Sequence, residues 1–161
     1  MMDKLLQLLS TNSQFTTGEI AAMLGEPEDY IKAQIKEYEN QGIIKGYQAV
    51  VNWEGIEDSF VEALIELKVT PKKETGFDEM AKMCMAFEEV ESVYLMAGVY
   101  DFALIVRGET MQDIGMFIAK KLSTIDGVIS TGTHFIMRRY KDRGMNVFNE
   151  DAQADERSLI L

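Results

Sequence analysis

The strongest constraint on the fold is a series of six segments between residues 60 and 141. The first, FVEALIELKVT, alternates apolar and polar residues with a period of two, which is typical of a half-exposed β-strand. One face of this strand would carry Val61, Ala63, Ile65, Leu67 and Val69. The other face would carry Glu62, Glu66 and Lys68 together with the apolar Phe60 and Leu64. The strand therefore has one buried face and one face of mixed character.

Two of the remaining segments have the period of a helix, and three have the composition of strands. In ETGFDEMAKMCMAFEEV the predicted buried residues are Phe77, Met80, Ala81, Cys84 and Phe87. In TMQDIGMFIAKKLSTIDGV they are Met111, Ile114, Ile118 and Leu122. The strands are ESVYLMAG, DFALIVRG and VISTGTHFIMRRYK. The order β-α-β-β-α-β predicts an α+β fold, a ferredoxin-like sandwich with helices on one face of an antiparallel sheet.

The second face of this sheet has no predicted helix to cover it. It must therefore meet water, a ligand or another subunit. Because Phe60 and Leu64 lie on that face, we expect two copies of the chain to dimerise through their sheets.

Residues 1–52 predict a separate helical domain. Its first helix has an apolar stripe formed by Leu5, Leu6, Leu8 and Leu9. In TTGEIAAMLG, Thr16 and Glu19 have the spacing of a capping box, and Gly25 ends the helix. The apolar face of that second helix would be Ile20, Met23 and Leu24. The third helix, PEDYIKAQIKEYENQG, begins at Pro27 and would bury Ile31, Ile35 and Tyr38.

Two short helices joined by a tight turn that contains glycine predict a helix-turn-helix. The segment IIKGYQAVVN follows and predicts a strand–turn–strand or one bent strand, which could serve as a wing. A small helical bundle that binds no nucleic acid has the same pattern. We divide the chain into a helix-turn-helix domain (1–52), a linker (53–59), a sheet domain (60–141) and an acidic tail (142–161).

The charge of the chain is unusual for a nucleic-acid-binding protein. Its net charge is −11, and contacts with phosphates require Lys and Arg. Residues 1–52 contain four basic and seven acidic residues, a net charge of −3, so no segment there is a basic arm. No apolar run approaches the ~20 residues needed to cross a bilayer. The single cysteine cannot form an intrachain disulfide, which suits a reducing cytoplasm, where we expect the protein to act.

Three motifs appear in the order and spacing of a known family: NQGIIKGYQAVVN, AGVYDFALIV and DGVISTGTHFIMRRYKD. With them, residues 1 to about 141 resemble the leucine-responsive regulator/AsnC (Lrp/AsnC) family of transcription factors. The resemblance implies a DNA-binding regulator of amino-acid metabolism that forms dimers and assembles further into tetramers or octamers. It also implies that a small effector, commonly an amino acid, binds between subunits in the C-terminal domain.

The resemblance assigns DNA contacts to the second and third helices and the segment after them: Thr17, Tyr30, Lys32, Ala33, Gln34, Lys36 and Lys45. The family usually has an arginine or lysine where this chain has Gln34. Carboxylates of the same helix also repel phosphates, so the affinity of one subunit should be low and linked subunits would have to compensate. The alternative function is therefore an oligomeric amino-acid sensor with little or no affinity for DNA.

The resemblance assigns effector binding to Gly98, Val99, Tyr100, Asp101, Thr131 and Thr133. Asp101 could accept the ammonium group of an amino acid, and N–H groups near Gly98 could receive its carboxylate. The threonines could add hydroxyl contacts. We expect positive φ at Gly98. A purely structural interpretation is also open: Gly98 would only form a turn, Asp101 would accept a turn hydrogen bond, and the threonines would be favourable strand residues.

Catalytic and metal-binding motifs find little support in the sequence. Cys84 lies on a predicted buried helix face, where an inert thiol is expected. His134 is the only histidine, and no second histidine is available to share a metal ion with it. We therefore expect neither an enzyme nor a cofactor or metal site. The expected partners are double-stranded DNA, a small amino-acid effector and further copies of the chain, with no membrane.

Overall fold

The alternating segment that begins at residue 60 forms one of the two central strands of a four-stranded antiparallel sheet. The computed structural model describes residues 3–56, 60–70 and 76–148. The predicted linker residues 57–59 and the predicted tail from residue 149 onward lie outside the described residues. The described chain falls into two compact units, one with residues 3–51 and 141–147 and the other with residues 52–56, 60–70, 76–140 and 148. The functional division of the chain stays a prediction.

The first unit contains three helices and a short hairpin. The helices are α1 (Lys4–Thr11), α2 (Thr17–Leu24) and α3 (Glu28–Asn40). Their shared core consists of Leu5, Ile20, Ala21 and Ile31, against which Leu8, Leu9, Phe15, Leu24, Ile35 and Tyr38 pack. Ile20, Ala21 and Leu24 form the inner stripe of α2, so Met23 lies on its flank and is 53% exposed. The prediction that Met23 is buried was wrong for this reason.

The second unit confirms the predicted order of strands and helices. Its elements are β1 (Val61–Val69), α4 (Asp78–Met85), β2 (Val90–Leu95), β3 (Phe102–Gly108), α5 (Met111–Lys120) and β4 (Val128–Phe135). The strand order is β2-β3-β1-β4, with all neighbours antiparallel. Short 3-10 helices lie at Trp53–Gly55 and Leu122–Thr124. Strand β4 is shorter than its predicted segment.

Helices α4 and α5 cover one face of this sheet. The core between these helices and the sheet contains the predicted apolar side of β1 together with Met80, Cys84, Phe102, Leu104, Val106, Ile114, Phe117 and Leu122. Met111 was predicted to belong to this core but is 50% exposed. Residues 109–113 are all exposed, because the first turn of α5 extends beyond the part of the helix that packs on the sheet.

The segment predicted to form a wing has no strand. After α3, the chain from Lys45 to Asn52 adopts no regular secondary structure. A strand requires a partner for its N–H and C=O groups, and no strand of the described chain pairs with this segment. Instead, residues 141–147 belong to the same compact unit and form a hairpin of β5 (Lys141–Asp142) and β6 (Met145–Asn146).

Candidate functional site

Helices α2 and α3 have the local geometry of a helix-turn-helix. The chain between them is the turn Gly25–Glu26–Pro27. Gly25 has φ 70°, a left-handed conformation that suits glycine, and its N–H donates to the Ala21 carbonyl at 2.9 Å. A capping box of Thr16 and Glu19 defines the start of α2. The sharp turn brings Ile31 of α3 against Ile20 of α2 in one core, which leaves the opposite side of α3 at the surface.

That outer side of α3 displays most of the predicted DNA contacts. Tyr30, Lys32, Ala33 and Lys36 are exposed, whereas Gln34 is half-buried. The Lys36 ammonium group forms no hydrogen bond or ion pair within residues 3–56, 60–70 and 76–148, so it is available to an anion. The outer side of α3 is therefore exposed and carries little positive charge.

Two of the predicted contacts are joined by an acidic residue. The Thr17 hydroxyl donates to Glu28 Oε1 at 2.7 Å, and Lys32 Nζ lies 2.9 Å from the same oxygen. The Thr17 hydrogen bond, followed by the interaction with Lys32, lowers the pKa of Glu28, and Glu28 raises the pKa of Lys32. Glu28 thus links α2 to α3 and neutralises Lys32. A phosphate must compete with this carboxylate for the lysine.

Lys45 lies at the end of α3. Gly42 has φ 67°, and a Cβ atom built there would lie 2.7 Å from Lys45 Nζ, so the lysine folds back over the glycine. A cation at this end of a helix interacts favourably with the helix dipole. Tyr47 also contacts this end, because its hydroxyl donates to Glu39 Oε1 at 3.0 Å. The position of Lys45 therefore has a structural explanation beside the predicted DNA contact.

The predicted effector turn connects β2 and β3 and is fastened to the end of β1. The Asp101 N–H donates to the Leu67 carbonyl at 2.9 Å, and the Val69 N–H donates to Asp101 Oδ2 at 2.8 Å. Lys68 Nζ donates to the Val99 carbonyl at 2.8 Å. Asp101 consequently accepts a hydrogen bond within the turn region, which is what its structural interpretation requires. Its second carboxylate oxygen would remain for an ammonium group.

Strand pairing places Thr131 near this turn. Thr131 and Thr133 pair with Leu67 and Ile65, so both threonines lie on the helix-covered side of the sheet. Asp101 and Thr131 flank Leu67 from opposite sides, which separates their backbones by about two strand spacings, roughly 10 Å. Thr133 lies one residue pair farther along and is exposed. The structure therefore brings Asp101 and Thr131 to one end of the sheet, with Thr133 farther from the turn.

The expectation of positive φ at Gly98 was wrong. The glycines with positive φ in the described chain are Gly25, Gly42, Gly76, Gly127 and Gly144. The reason is that residues 96–101 form a wide connection, closed by the Met96 N–H and the Asp101 carbonyl, in place of a two-residue turn. A Cβ atom at Gly98 would meet nothing within 4 Å. The residue is exposed, Val99 is 84% exposed and Tyr100 is half-buried, so a ligand can approach the backbone here.

The other two candidate reactive groups are Cys84 and His134, and the surroundings of each are those of a structural residue. Cys84 is fully buried, and burial raises the pKa of its thiol to about 11. His134 is exposed, and its Nε2 lies 3.3 Å from Glu66 Oε1. Within residues 3–56, 60–70 and 76–148, no group of His, Cys, Asp or Glu could hold a metal ion. No helix of that part of the chain is long and apolar enough to cross a membrane.

Two features were missed by sequence reasoning. Glu62 was assigned to the open face of the sheet but is 8% exposed, because Arg107 and Arg139 cover it. The alternation of the strand could not show this, since the arginines come from other segments. The hairpin around Arg143 lies mostly within the predicted acidic tail. Its one signal in the sequence is the pair Arg143–Gly144, which has the length of a two-residue turn between β5 and β6.

Comparison with known proteins gives consistent results. A model of the Lrp/AsnC ligand binding domain matches residues 62–145. The uncharacterised HTH-type transcriptional regulator YugG of Bacillus subtilis is 42% identical over 98% of this chain and 94% of its own length. The leucine-responsive regulatory protein of Haemophilus influenzae is 26% identical over 86% of this chain and 82% of its own. These relatives are transcriptional regulators and not enzymes.

Solved structures share the fold. A transcriptional regulator of Neisseria meningitidis, crystallised as a complex with L-Met, has a TM-score of 0.68 and 22% identity. The similarity covers 88% of this chain and 94% of that one. The two-domain architecture of this chain, a helix-turn-helix followed by a ferredoxin-like sandwich, is therefore that of known regulators.

Proposed function

The chain belongs to the Lrp/AsnC family of transcriptional regulators, and from this membership we propose that it binds double-stranded DNA through α2 and α3. The observation that carries the proposal is the helix-turn-helix, in which the tight turn at Gly25 leaves the outer side of α3 exposed. Tyr30, Ala33 and Lys36 are available on that side to reach a groove or a phosphate. The cytoplasm, where target DNA is accessible, is the corresponding location.

The low positive charge of α3 makes oligomerisation part of the proposal. Glu28 occupies Lys32, and Glu37 and Glu39 lie on the same helix. Several subunits bound to one DNA molecule gain affinity through effective concentration without any new contact. The open face of the sheet supports a dimer, since Leu64 and Ile105 are half-buried there and Tyr94 is 53% exposed. Tetramers or octamers of such dimers complete the proposed assembly.

The second unit would bind a small effector, an amino acid, beside the turn that contains Gly98 and Asp101. Support comes from the open backbone at Gly98 and from Asp101 Oδ1, which is not the oxygen that accepts the Val69 N–H. The related N. meningitidis regulator was crystallised with L-Met, which indicates the chemical class of such an effector. Control of amino-acid metabolism would follow from this response.

DNA binding is tested by gel-shift or anisotropy measurements between about 50 and 200 mM salt, because affinity that depends on phosphate contacts falls steeply over this range. The DNA is the region upstream of the protein's own gene. Lys36→Ala should weaken binding to all sequences and reduce the log–log salt slope by about 0.9. Glu37→Lys should strengthen binding. Lys82→Gln removes a charge from α4 in the other unit and serves as the matched control.

Unchanged slopes in both α3 variants would show that α3 does not face DNA. If the parent protein binds no DNA but calorimetry with the twenty amino acids detects a ligand, the alternative function is correct: an oligomeric amino-acid sensor. That alternative is favoured by one observation, the excess of carboxylates on α3. Sedimentation at micromolar concentration tests assembly, and a monomer would contradict both the dimer and an effector site between subunits.

A further inference from the structure

A groove in the first unit has the chemistry of a phosphate site. Its volume is about 480 Å³, and three segments line it: residues 9–14 at the end of α1, residues 46–50 after α3, and the β5–β6 hairpin with Arg143 and Met145. None of the described lining residues carries a carboxylate, although the whole chain has a net charge of −11. The Ser13 hydroxyl and the side-chain amides of Asn12 and Gln14 line the groove, whereas the hydroxyls of Ser10 and Thr11 in the same segment donate to the Gln7 carbonyl. An arginine beside such groups suits an anion.

The backbone of Arg143 is unusual. Arg143 has φ 45° and Gly144 has φ 87°, and these two residues form the turn between β5 and β6. Positive φ at both central residues defines a type I′ turn, in which Asn, Asp or Gly normally occupies the first position. Arg143 is the only non-glycine residue with positive φ in the described chain. An arginine in this conformation is strained, and such an outlier points to a use for its side chain.

The Arg143 side chain lies along the groove beside the segment that follows α3. Its Nη1 donates to Gln48 Oε1 at 2.9 Å. The neighbouring Tyr47 is held against the last turn of α3 by its hydrogen bond to Glu39. The hairpin therefore occupies a place next to the continuation of α3, where a winged helix-turn-helix has its wing. The segment from Lys45 to Asn52 forms no such strand itself.

We propose that the β5–β6 hairpin is the wing of this helix-turn-helix and that Arg143 binds a phosphate of the DNA backbone. The Ser13 hydroxyl and the side-chain amides of Asn12 and Gln14 would border the same phosphate. This inference rests on the proposed DNA binding and adds a contact outside α2 and α3. It adds a cation to the few that the acidic α3 provides. The contact positions the unit on DNA and does not read bases.

The test compares Arg143→Asn with the parent protein in full-length form. Asparagine tolerates positive φ, so the hairpin should keep its turn and the melting temperature should not fall. DNA affinity should fall roughly tenfold for every sequence, as expected for one charge-assisted contact. The log–log salt slope should decrease by about 0.9. Lys82→Gln, with the same change of charge, should leave the slope unchanged.

A second variant tests the groove by adding a positive charge to it. Gln14→Lys introduces a cation among the lining residues and should increase the salt slope by a similar amount. If the parent binds DNA and Lys36→Ala weakens it while Arg143→Asn keeps the parent slope, the wing is refuted and the proposed function stands. If the parent binds no DNA, both fail. Should inorganic phosphate shift the groove resonances in NMR while Arg143→Asn binds DNA normally, the groove holds a free anion, and the DNA contact is refuted.

Discussion

Glu62 and Arg107 pair directly across the neighbouring strands β1 and β3, and Arg107 Nε lies 2.8 Å from Glu62 Oε1. Arg139 donates to the second carboxylate oxygen, and Arg107 also lies 3.3 Å from Glu91 and 4.0 Å from the centre of the Phe60 ring. A carboxylate on the open face of the sheet is thus enclosed by two guanidinium groups. This arrangement explains how Glu62 can be only 8% exposed, since its buried charge is paired with two guanidinium groups.

Glu62→Ala should therefore destabilise the second unit. Removing the carboxylate leaves Arg107 and Arg139 without their shared partner, and both are about a quarter to a third exposed, which limits the loss. We expect a decrease of about 2 kcal/mol in the free energy of unfolding, measured by urea denaturation. Glu88→Ala, an exposed residue, is the control. Equal stability of the two variants would show that the cluster contributes nothing.

Tyr38→Phe should make the first unit less sensitive to acid. The Tyr38 hydroxyl donates to Asp3 Oδ2 at 2.7 Å and lowers the pKa of Asp3, with help from the N–H groups of Leu6 and Leu5. A lowered carboxyl pKa stabilises the fold above the unfolded value near 4, and this stabilisation is lost as the pH falls through the folded value. The melting temperature of Tyr38→Phe should be lower than that of the parent at pH 7, and the difference should narrow by pH 3. A difference that is constant with pH would contradict the role of Asp3.

Cys84 should be unreactive in the native protein. Burial raises the pKa of its thiol to about 11, so thiolate is scarce at pH 8 and the sulfur is inaccessible. Labelling by a disulfide reagent should be at least about a hundredfold slower than that of a free thiol. Ala86→Cys adds a thiol at a nearby exposed position and should be labelled once, quickly. Rapid labelling of the parent would show that α4 opens readily.

Two substitutions at Asp101 separate its two roles. Asn retains an oxygen that can accept the Val69 N–H, so Asp101→Asn should fold normally, whereas Asp101→Ala should cost about 1–2 kcal/mol in unfolding experiments. If Asp101 also pairs with an effector's ammonium group, Asp101→Asn should bind the effector roughly ten- to a hundredfold more weakly in calorimetry. Binding as tight as in the parent would leave Asp101 with the turn role alone.

Much of the architecture follows from local periodicity. The alternation in β1 places Ala63, Ile65 and Leu67 in the core, and the helical spacing of α4 places Met80 and Cys84 opposite them. These patterns depend only on the geometry of a strand and a helix, so they can be read along the chain. Met23 and Met111 show the limit of periodicity: the side of a short helix that packs, and the point where packing begins, depend on the neighbouring elements.

The amino-acid sequence by itself determined the order of elements, the helix-turn-helix and the family. Tertiary structure alone decided that Glu62 is buried, that Asp101 is bonded to Val69, and that Arg143 lies beside Gln48. The contacts responsible, Glu62–Arg107, Val69–Asp101 and Gln48–Arg143, join residues that are 32 to 95 positions apart in the sequence. Propensity and spacing describe only neighbours along the chain, whereas the environment of a charged side chain depends on which distant segments the fold brings to it.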